Sequence, residues 1–529
     1  MSDNTHSDTQ LEAIRTGYAF EGPTLNLGAA VSEGQAVPEV QVGLPLATMN
    51  RHGLIAGATG TGKTKTLQMM AEQLSEAGVP VFLADMKGDL SGIAVEGQSS
   101  PKLEERTQDI GQEWKPASAP MDFFTLGGQG KGSPIRTTVT NFGPVLLSRV
   151  LGLNQTQESA LGLIFHYADQ AGLALLDLKD LREVIMFLTS EDGKEELSGI
   201  GGVSSQTAGV ILRELTTFAN NGADVFFGEP EFDTTDLLRT AEDGRGIISN
   251  LQLPGVASRP ELFSTFLMWL LADLFQDLPE VGDVDKPKLV FFFDEAHLLF
   301  KGATKEFLSS IEQTVRLIRS KGVGVFFITQ TPKDVPAEVL GQLGNRVQHA
   351  LRAFTPDDAK ALKATARTYP SSGYDLEQLL TQLGTGEAVV TVLSETGAPT
   401  PVAWTRMRAP QSLMNVAPEA TFDAVITASP LTPKYAEAVD RESAYEILKK
   451  RLEATPEQSA GQQAPPSDDP ASSTPQDAVP PKKDSPEKSE DSDGGFMDNP
   501  VLRSMMRSAG TVLGREITRS LFGTAKRRR

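Results

Sequence analysis

Residues 57–64 read Gly57-Ala58-Thr59-Gly60-Thr61-Gly62-Lys63-Thr64, and the rest of the chain falls into place around that octet. It satisfies the pattern G-x-x-x-x-G-K-[ST] in full. Its flanks are the ones the chemistry requires. His52-Gly53-Leu54-Ile55-Ala56 is a short apolar strand feeding the loop, and from Lys63 to Ala77 the residues Leu67, Met70, Ala71 and Leu74 recur at helical spacing. The glycines let the main chain wrap so that its N–H groups point inward at a phosphate. The helix N-terminus adds a partial positive charge. Lys63 then reaches the β- and γ-phosphates of a nucleotide, and the Thr64 hydroxyl is a ligand for Mg²⁺. Gly57, Ala58, Thr59, Gly60, Thr61, Gly62, Lys63, Thr64 and Lys65 form the expected nucleotide-binding set, with ATP and Mg²⁺ as cofactors.

Such a loop needs a carboxylate at the end of a neighbouring strand. Leu289-Val290-Phe291-Phe292-Phe293-Asp294-Glu295 supplies two acids after five apolar residues, a run that reads as a strand buried on both faces. Asp294 is the expected metal ligand, and Glu295 the group that orients and deprotonates a water. His297 completes the letters DEAH of superfamily-2 helicases, but 231 positions separate Lys63 from Asp294, too many for that class. No QxxGRxGR-like motif follows, so His297 reads as a local contact. Phe326-Phe327-Ile328-Thr329-Gln330 is another buried strand, which brings Gln330 beside Glu295 as a water-sensing candidate. Asp85, near Lys87, either lines the same edge or is structural. Candidates for an arginine acting on the γ-phosphate, often from a neighbouring subunit, are Arg316, Arg319, Arg346 and Arg352. Arg346 is preferred because Asn345-Arg346 precedes a strand. The run Gly127 to Ser133 lacks the spacing of a second phosphate loop and reads as a flexible loop.

Working outward, further buried strands are expected at Val79–Ala84, Gly246–Leu251, Lys288–Phe293, Val323–Ile328, Val347–Leu351 and Ala388–Leu393. Helical patterns are expected at Pro144–Gly172 and Leu175–Leu188. Strands alternating with helices give an α/β fold around the phosphate loop, with a mainly parallel sheet, a largely helical insertion, and a disordered linker to a C-terminal helix. The expected organisation is a disordered lead (1–15), a short β-rich segment (16–50), and the first part of the ATPase core (51–94). A mainly helical insertion (95–245) and the second core part (246–431) follow. A charged helix (432–454), a disordered acidic linker (455–495) and a basic amphipathic helix (496–529) close the chain.

Composition narrows the function. The chain has 529 residues, no cysteine and five histidines. That excludes disulfides, thiolate metal sites and a cysteine nucleophile. The polar N-terminus has no apolar signal segment. The longest apolar stretch, Phe263 to Phe275, is interrupted by Asp273 and falls short of a membrane span, so a cytoplasmic protein without a transmembrane segment is expected. Net charge is −20. Residues 455–495 hold nine acidic and three basic residues, and residues 496–529 hold eight basic and two acidic. These offset one another, so the whole excess lies in residues 1–454. A body that acidic is not a general polyanion binder, and any nucleic-acid contact must be a local basic track or the tail.

With these pieces placed, the chain resembles the HerA-like branch of the FtsK–HerA superfamily of motor ATPases, and within it the bacterial YjgR-like group. The resemblance rests on NRHGLIAGATGTGKTKTLQ (50–68), FLADMKGDLSGIA (82–94), RTTVTNFGPVLLSRVLGLNQTQ (136–157) and LALLDLKDLRE (173–183). It continues in FFGEPEFD (226–233), GIISNLQLP (246–254), LVFFFDEAHLLF (289–300), GVFFITQTPKDVP (324–336) and LGNRVQHALRAFTPDD (343–358). It implies a RecA-like core that forms rings, commonly hexamers, and threads duplex DNA or another polymer. By motif, Lys63 and Thr64 match the Walker A pair and Asp294 and Glu295 the Walker B pair. Gln330 matches the polar strand-end residue, and Arg346 a finger offered to a neighbour.

From Pro500 to Lys526, Leu502, Met506, Ala509, Leu513, Ile517 and Leu521 form one stripe with Arg503, Arg507, Arg515 and Arg519 around it. Such a helix docks on the acidic body or a sister subunit, on nucleic acid or a partner, or on an anionic membrane surface. The expected function is Mg²⁺-dependent ATP hydrolysis by a ring-forming DNA translocase or helicase. The alternatives are a nucleotide-gated assembly factor and a polypeptide-directed motor.

Overall fold

The computed structural model describes residues 2–199, 201–255, 260–282, 284–300 and 305–454. The expected linker 455–495 and helix 496–529 lie outside the described residues. Twelve strands form one sheet among the described residues: β1 (Thr24–Ser32), β2 (Gln35–Pro45), β3 (Gly53–Ala56), β4 (Val81–Asp85), β5 (Met121–Leu126), β6 (Ser133–Ile135), β7 (Ile248–Gln252), β8 (Leu289–Phe293), β9 (Val323–Thr329), β10 (Asn345–His349), β11 (Glu387–Thr391) and β12 (Ala403–Met407). Their spatial order is β2-β1-β12-β11-β10-β3-β9-β8-β4-β7-β5-β6. From β10 to β6 every neighbouring pair is parallel. From β10 back to β2 every pair is antiparallel.

The period of two in the strands builds two cores at once. Leu54, Phe82, Phe291, Phe293, Val325 and Phe327 face one core, formed with helices such as 139–150, 155–170, 178–189, 205–220 and 260–277. Ile55, Val81, Leu83, Val290, Phe292, Phe326 and Ile328 face the other, with Leu67, Met70, Ala71 and Leu74 of helix 63–76. Phe291, Phe292 and Phe293 are fully buried, each contributing about 1.5–3 kcal/mol. The apolar stretch Phe263–Phe275 is a buried core helix in which Trp269 has no exposure. Asp273 accepts a 2.7 Å hydrogen bond from Thr234 Oγ1, which offsets its burial. No helix among the described residues is long and apolar enough to cross a membrane.

Several elements differ from the sequence reading. The lead is a helix, Ser2–Gly17, because Leu11 and Ile14 pack on the second core and the adjacent Tyr18 donates to Val390 and Pro401 carbonyls. Residues 16–50 hold two strands of 9 and 11 residues. They form a hairpin whose turn residues Glu33 (φ 52°) and Gly34 (φ 81°) both have positive φ, the geometry that matches strand twist. The interval 95–245 contributes β5 and β6 to the sheet as well as its helices. Gly127 to Ser133 is the connection between those strands, with Lys131 ion-paired to Glu419 and Asp423. The expected strand Val347–Leu351 begins two residues earlier, at Asn345. The expected charged helix 432–454 is two helices, Leu431–Tyr435 and Ala444–Ala454.

Candidate functional site

Parallel strands in register put their C-terminal ends on one edge. Ala56 of β3 pairs with Thr329 of β9, Phe327 with Phe293 of β8, and Phe293 with Ala84 of β4. The residues that follow each strand therefore meet: the glycine loop after β3, Gln330 after β9, Asp294 and Glu295 after β8, and Lys87 after β4.

The loop is braced from below by main chain. Gly57 N–H donates to Thr329 O (3.2 Å) and Ala58 N–H to Ala350 O (2.8 Å). Thr61 Oγ1 closes onto Ala58 O at 2.7 Å, and Gly386 N–H donates to Thr61 O at 2.8 Å. Glycine is required at two positions. Gly57 and Gly62 have φ of 156° and 118°, and a Cβ on them would lie 2.5 Å from His349 Cβ and 3.1 Å from Gly386 Cα. His349 is the second brace. Its Nδ1 faces Glu387 O at 2.8 Å and its Nε2 faces Thr66 Oγ1 at 3.0 Å. Burial lowers it to about 4, so the ring is neutral, donates from Nδ1 and accepts the Thr66 hydroxyl at Nε2.

Lys63 is buried at the first helical position, and its ammonium donates to Ala58 O at 3.0 Å. Burial lowers its pKa, while the charges of Glu295 and Asp294 oppose that and Lys87 adds to it. Thr64 beside it is half-buried, and Thr59 and Gly60 form the exposed loop tip. Lys65 follows on the first turn of the helix. Its ammonium donates to Met414 O (2.7 Å) and Gln68 Oε1 (3.1 Å), on the flank of the helix.

Asp294 is 2% exposed. Burial pushes it up to about 6, against the pull of Lys87. Burial also raises Glu295, but the hydrogen bond and charge of Lys87 outweigh it and the net shift is downward. Two adjacent carboxylates are thus driven apart in affinity for a proton. Glu295 has φ 49°, a costly conformation for a non-glycine residue. Lys87 Nζ lies 2.5 Å from Glu295 Oε1 and 3.8 Å from Asp294 Oδ2. His297 Nδ1 is 3.2 Å from Glu295 Oε2, though neither atom makes a hydrogen bond, and Asp294 Oδ2 is likewise buried without a partner. Among the described residues no group of three or more acids and histidines forms a metal cage. The donors instead suit Mg²⁺, which is held by one or two protein oxygens together with substrate phosphates. Thr64 and Asp294 fit that role.

The arginines are elsewhere. Arg346 lies level with Leu54, two residues before the end of β3, and its guanidinium donates to Thr368 Oγ1 at 2.8 Å. Arg316 and Arg319 precede β9 and sit at the opposite edge of the sheet. Arg352 follows β10 on the loop's edge and is exposed, as is Gln330. Asp85 does not line the pocket. It is fully buried, and its oxygens accept from the amides of Lys87, Gly88, Asp89 and Leu90. Sequence reading missed Lys87, His349 and Gly386 as parts of the site. Only Lys87 carried a signal, standing two residues beyond a buried strand.

The family described as helicase HerA-like C-terminal matches residues 31–529. The DNA double-strand break repair helicase HerA of Sulfurisphaera tokodaii is 22% identical over 377 residues, covering 70% of this chain and 67% of the relative. The protein of that name from Sulfolobus acidocaldarius is 21% identical over 388 residues, covering 73% and 69%. Among solved structures, an unbound form of the bacterial conjugative coupling protein TrwB superposes with a TM-score of 0.52 at 14% identity, covering 77% of this chain and 94% of that one. At that identity the likeness speaks to the fold alone. The family match runs from Val31 to Arg529, and the chain belongs to the HerA-like helicase C-terminal family of P-loop NTPases.

Proposed function

We propose that this protein is an Mg²⁺-dependent ATPase that assembles into a ring, a hexamer, and moves along double-stranded DNA. The observation that carries the reading is the strand register, which sets the loop after β3 and the two acids after β8 on one edge of the sheet with β9 between them. The relatives named as DNA double-strand break repair helicases support the choice of polymer. The amides of Gly57–Lys63 and the Lys63 ammonium grip the triphosphate. Thr64 and Asp294 would hold Mg²⁺, which when bound supplies the charge that steadies the β- and γ-phosphate oxygens. Glu295 orients a water in line with the γ-phosphorus and takes its proton as the bond to the ADP oxygen breaks. Gln330 offers that water a second polar contact. Arg346 would serve the site of a neighbouring subunit.

The test is ATP turnover by the purified chain with and without duplex DNA at low salt, where electrostatic attraction is strongest. Stimulation by duplex is expected. A second reading, a nucleotide-gated assembly factor or a polypeptide-directed motor, is favoured by the net charge of −20, which repels a polyanion. Turnover indifferent to duplex selects it.

A further inference from the structure

Lys87 has no part in the steps above, yet its ammonium lies within 4 Å of both acids. Its side chain is 46% exposed, while those of Asp294 and Glu295 are 3% and 13% exposed, so it reaches the pair from the solvent side. The loop that carries it is built for the purpose. Asp85, the last residue of β4, is fully buried and wraps the turn around its own carboxylate. Its Oδ1 accepts from the amides of Lys87 (3.3 Å), Gly88 (2.7 Å) and Asp89 (3.3 Å), and its Oδ2 from Leu90 (3.0 Å). Gly88 supplies the φ of 75° that the turn needs. The Lys87 main chain is thereby fixed beside the end of β8. Glu295 is fixed from its own side by its left-handed backbone. What remains free is the rotation of its carboxylate, and Lys87 removes it by binding Oε1, with Oε2 buried 3.2 Å from His297 Nδ1 and no hydrogen bond between them.

The geometry points to Lys87 as a positioning residue for hydrolysis. Its ammonium fixes the plane of the Glu295 carboxylate for the attacking water, and its reach to Asp294 Oδ2 sets the spacing of the two acids. The inference rests on Glu295 being the group that activates water. A half-exposed ion pair adds little to stability, so the effect falls on rate.

Two variants test it in the full chain. Lys87→Met keeps the length and removes the charge, and Lys87→Arg keeps the charge. Lys87→Met is expected to lower kcat roughly 10- to 100-fold, the usual cost of losing a group that orients an active-site ligand. KM for ATP should stay within about threefold of the parent. Lys87→Arg is expected to recover most of the loss. In a Glu295→Gln background, Lys87→Met should cause no further loss, because the two act as one unit. A parent-like kcat in Lys87→Met would overturn the inference, as would an equal fold-loss in both backgrounds. Glu295→Gln alone separates the two levels. Full turnover there removes the Glu295 reading and the inference with it, whereas slow turnover there beside a normal Lys87→Met rate removes the inference alone.

Discussion

In the eight parallel strands from β10 to β6 every C-terminal end opens on the same edge, and four neighbours there, β3, β9, β8 and β4, carry Gly57–Lys63, Gln330, Asp294–Glu295 and Lys87. In the antiparallel strands β11, β12, β1 and β2 the ends alternate between edges. What that half brings to the site is main chain: Gly386, just before β11, donates to Thr61 O, and Arg106 ties Gly386 O to Met407 O. Parallel pairing concentrates reactive groups, and antiparallel pairing buttresses the loop that presents them.

Changes in the two halves should therefore fail differently. The largest effect is expected for Lys63→Ala, which removes the buried cation of the parallel half. Tight nucleotide binding should be lost and hydrolysis should fall by roughly 10²–10³-fold or more, with little change in thermal stability; titration with labelled ATP and calorimetry check both. Gly386→Val strikes the buttress. Its φ is 76°, and a Cβ would lie 2.6 Å from Arg106 Nη2. Stability should fall by about 1–3 kcal/mol and ATP affinity with it. An unchanged denaturation midpoint would separate the loop from its brace.

Within the parallel half, acid should pull buried groups in opposite directions. His52 and His349 are held neutral by burial at about 4, against about 6.5 in the unfolded chain. The folded state binds fewer protons, so their contribution is complete above pH 6.5 and is lost as pH falls toward 4. By pH 5 the pair together costs about 4 kcal/mol. Asp294, raised to about 6, works the other way, since its penalty is relieved as pH falls through 6. Urea midpoints at pH 7 and pH 5 should show a net loss, which His349→Gln roughly halves. The smallest effect is expected for Lys65→Ala. With its ammonium on Met414 O and Gln68, nucleotide affinity should change by less than about threefold and stability by about 0.5–1 kcal/mol.

How much was legible follows from the range of each signal. The glycine loop, the helix behind it and the acids after β8 were readable because each is a local pattern, and the mainly apolar strands β3, β4, β8 and β9 announce burial on both faces. The strand β5, MDFFTL, escaped because it stands between turn-rich stretches without a helical partner next in sequence. β12, AWTRM, is buried only at alternate positions. The N-terminal helix has too few apolar residues for a periodic signal. Lys87 reaches Glu295 across more than 200 residues, and His349 reaches Thr66 across 283. Nothing at either end of such a pair marks the other, because the contact exists only once the strands are in register.

The most direct test is ATP turnover by Glu295→Gln beside the parent chain, with binding of a non-hydrolysable analogue measured on both. Analogue affinity within about threefold of the parent, with turnover lower by roughly 10²–10⁴-fold, is the expected result. Parent-like turnover would contradict Glu295 as the group that activates water at the edge shared by β3, β9 and β8.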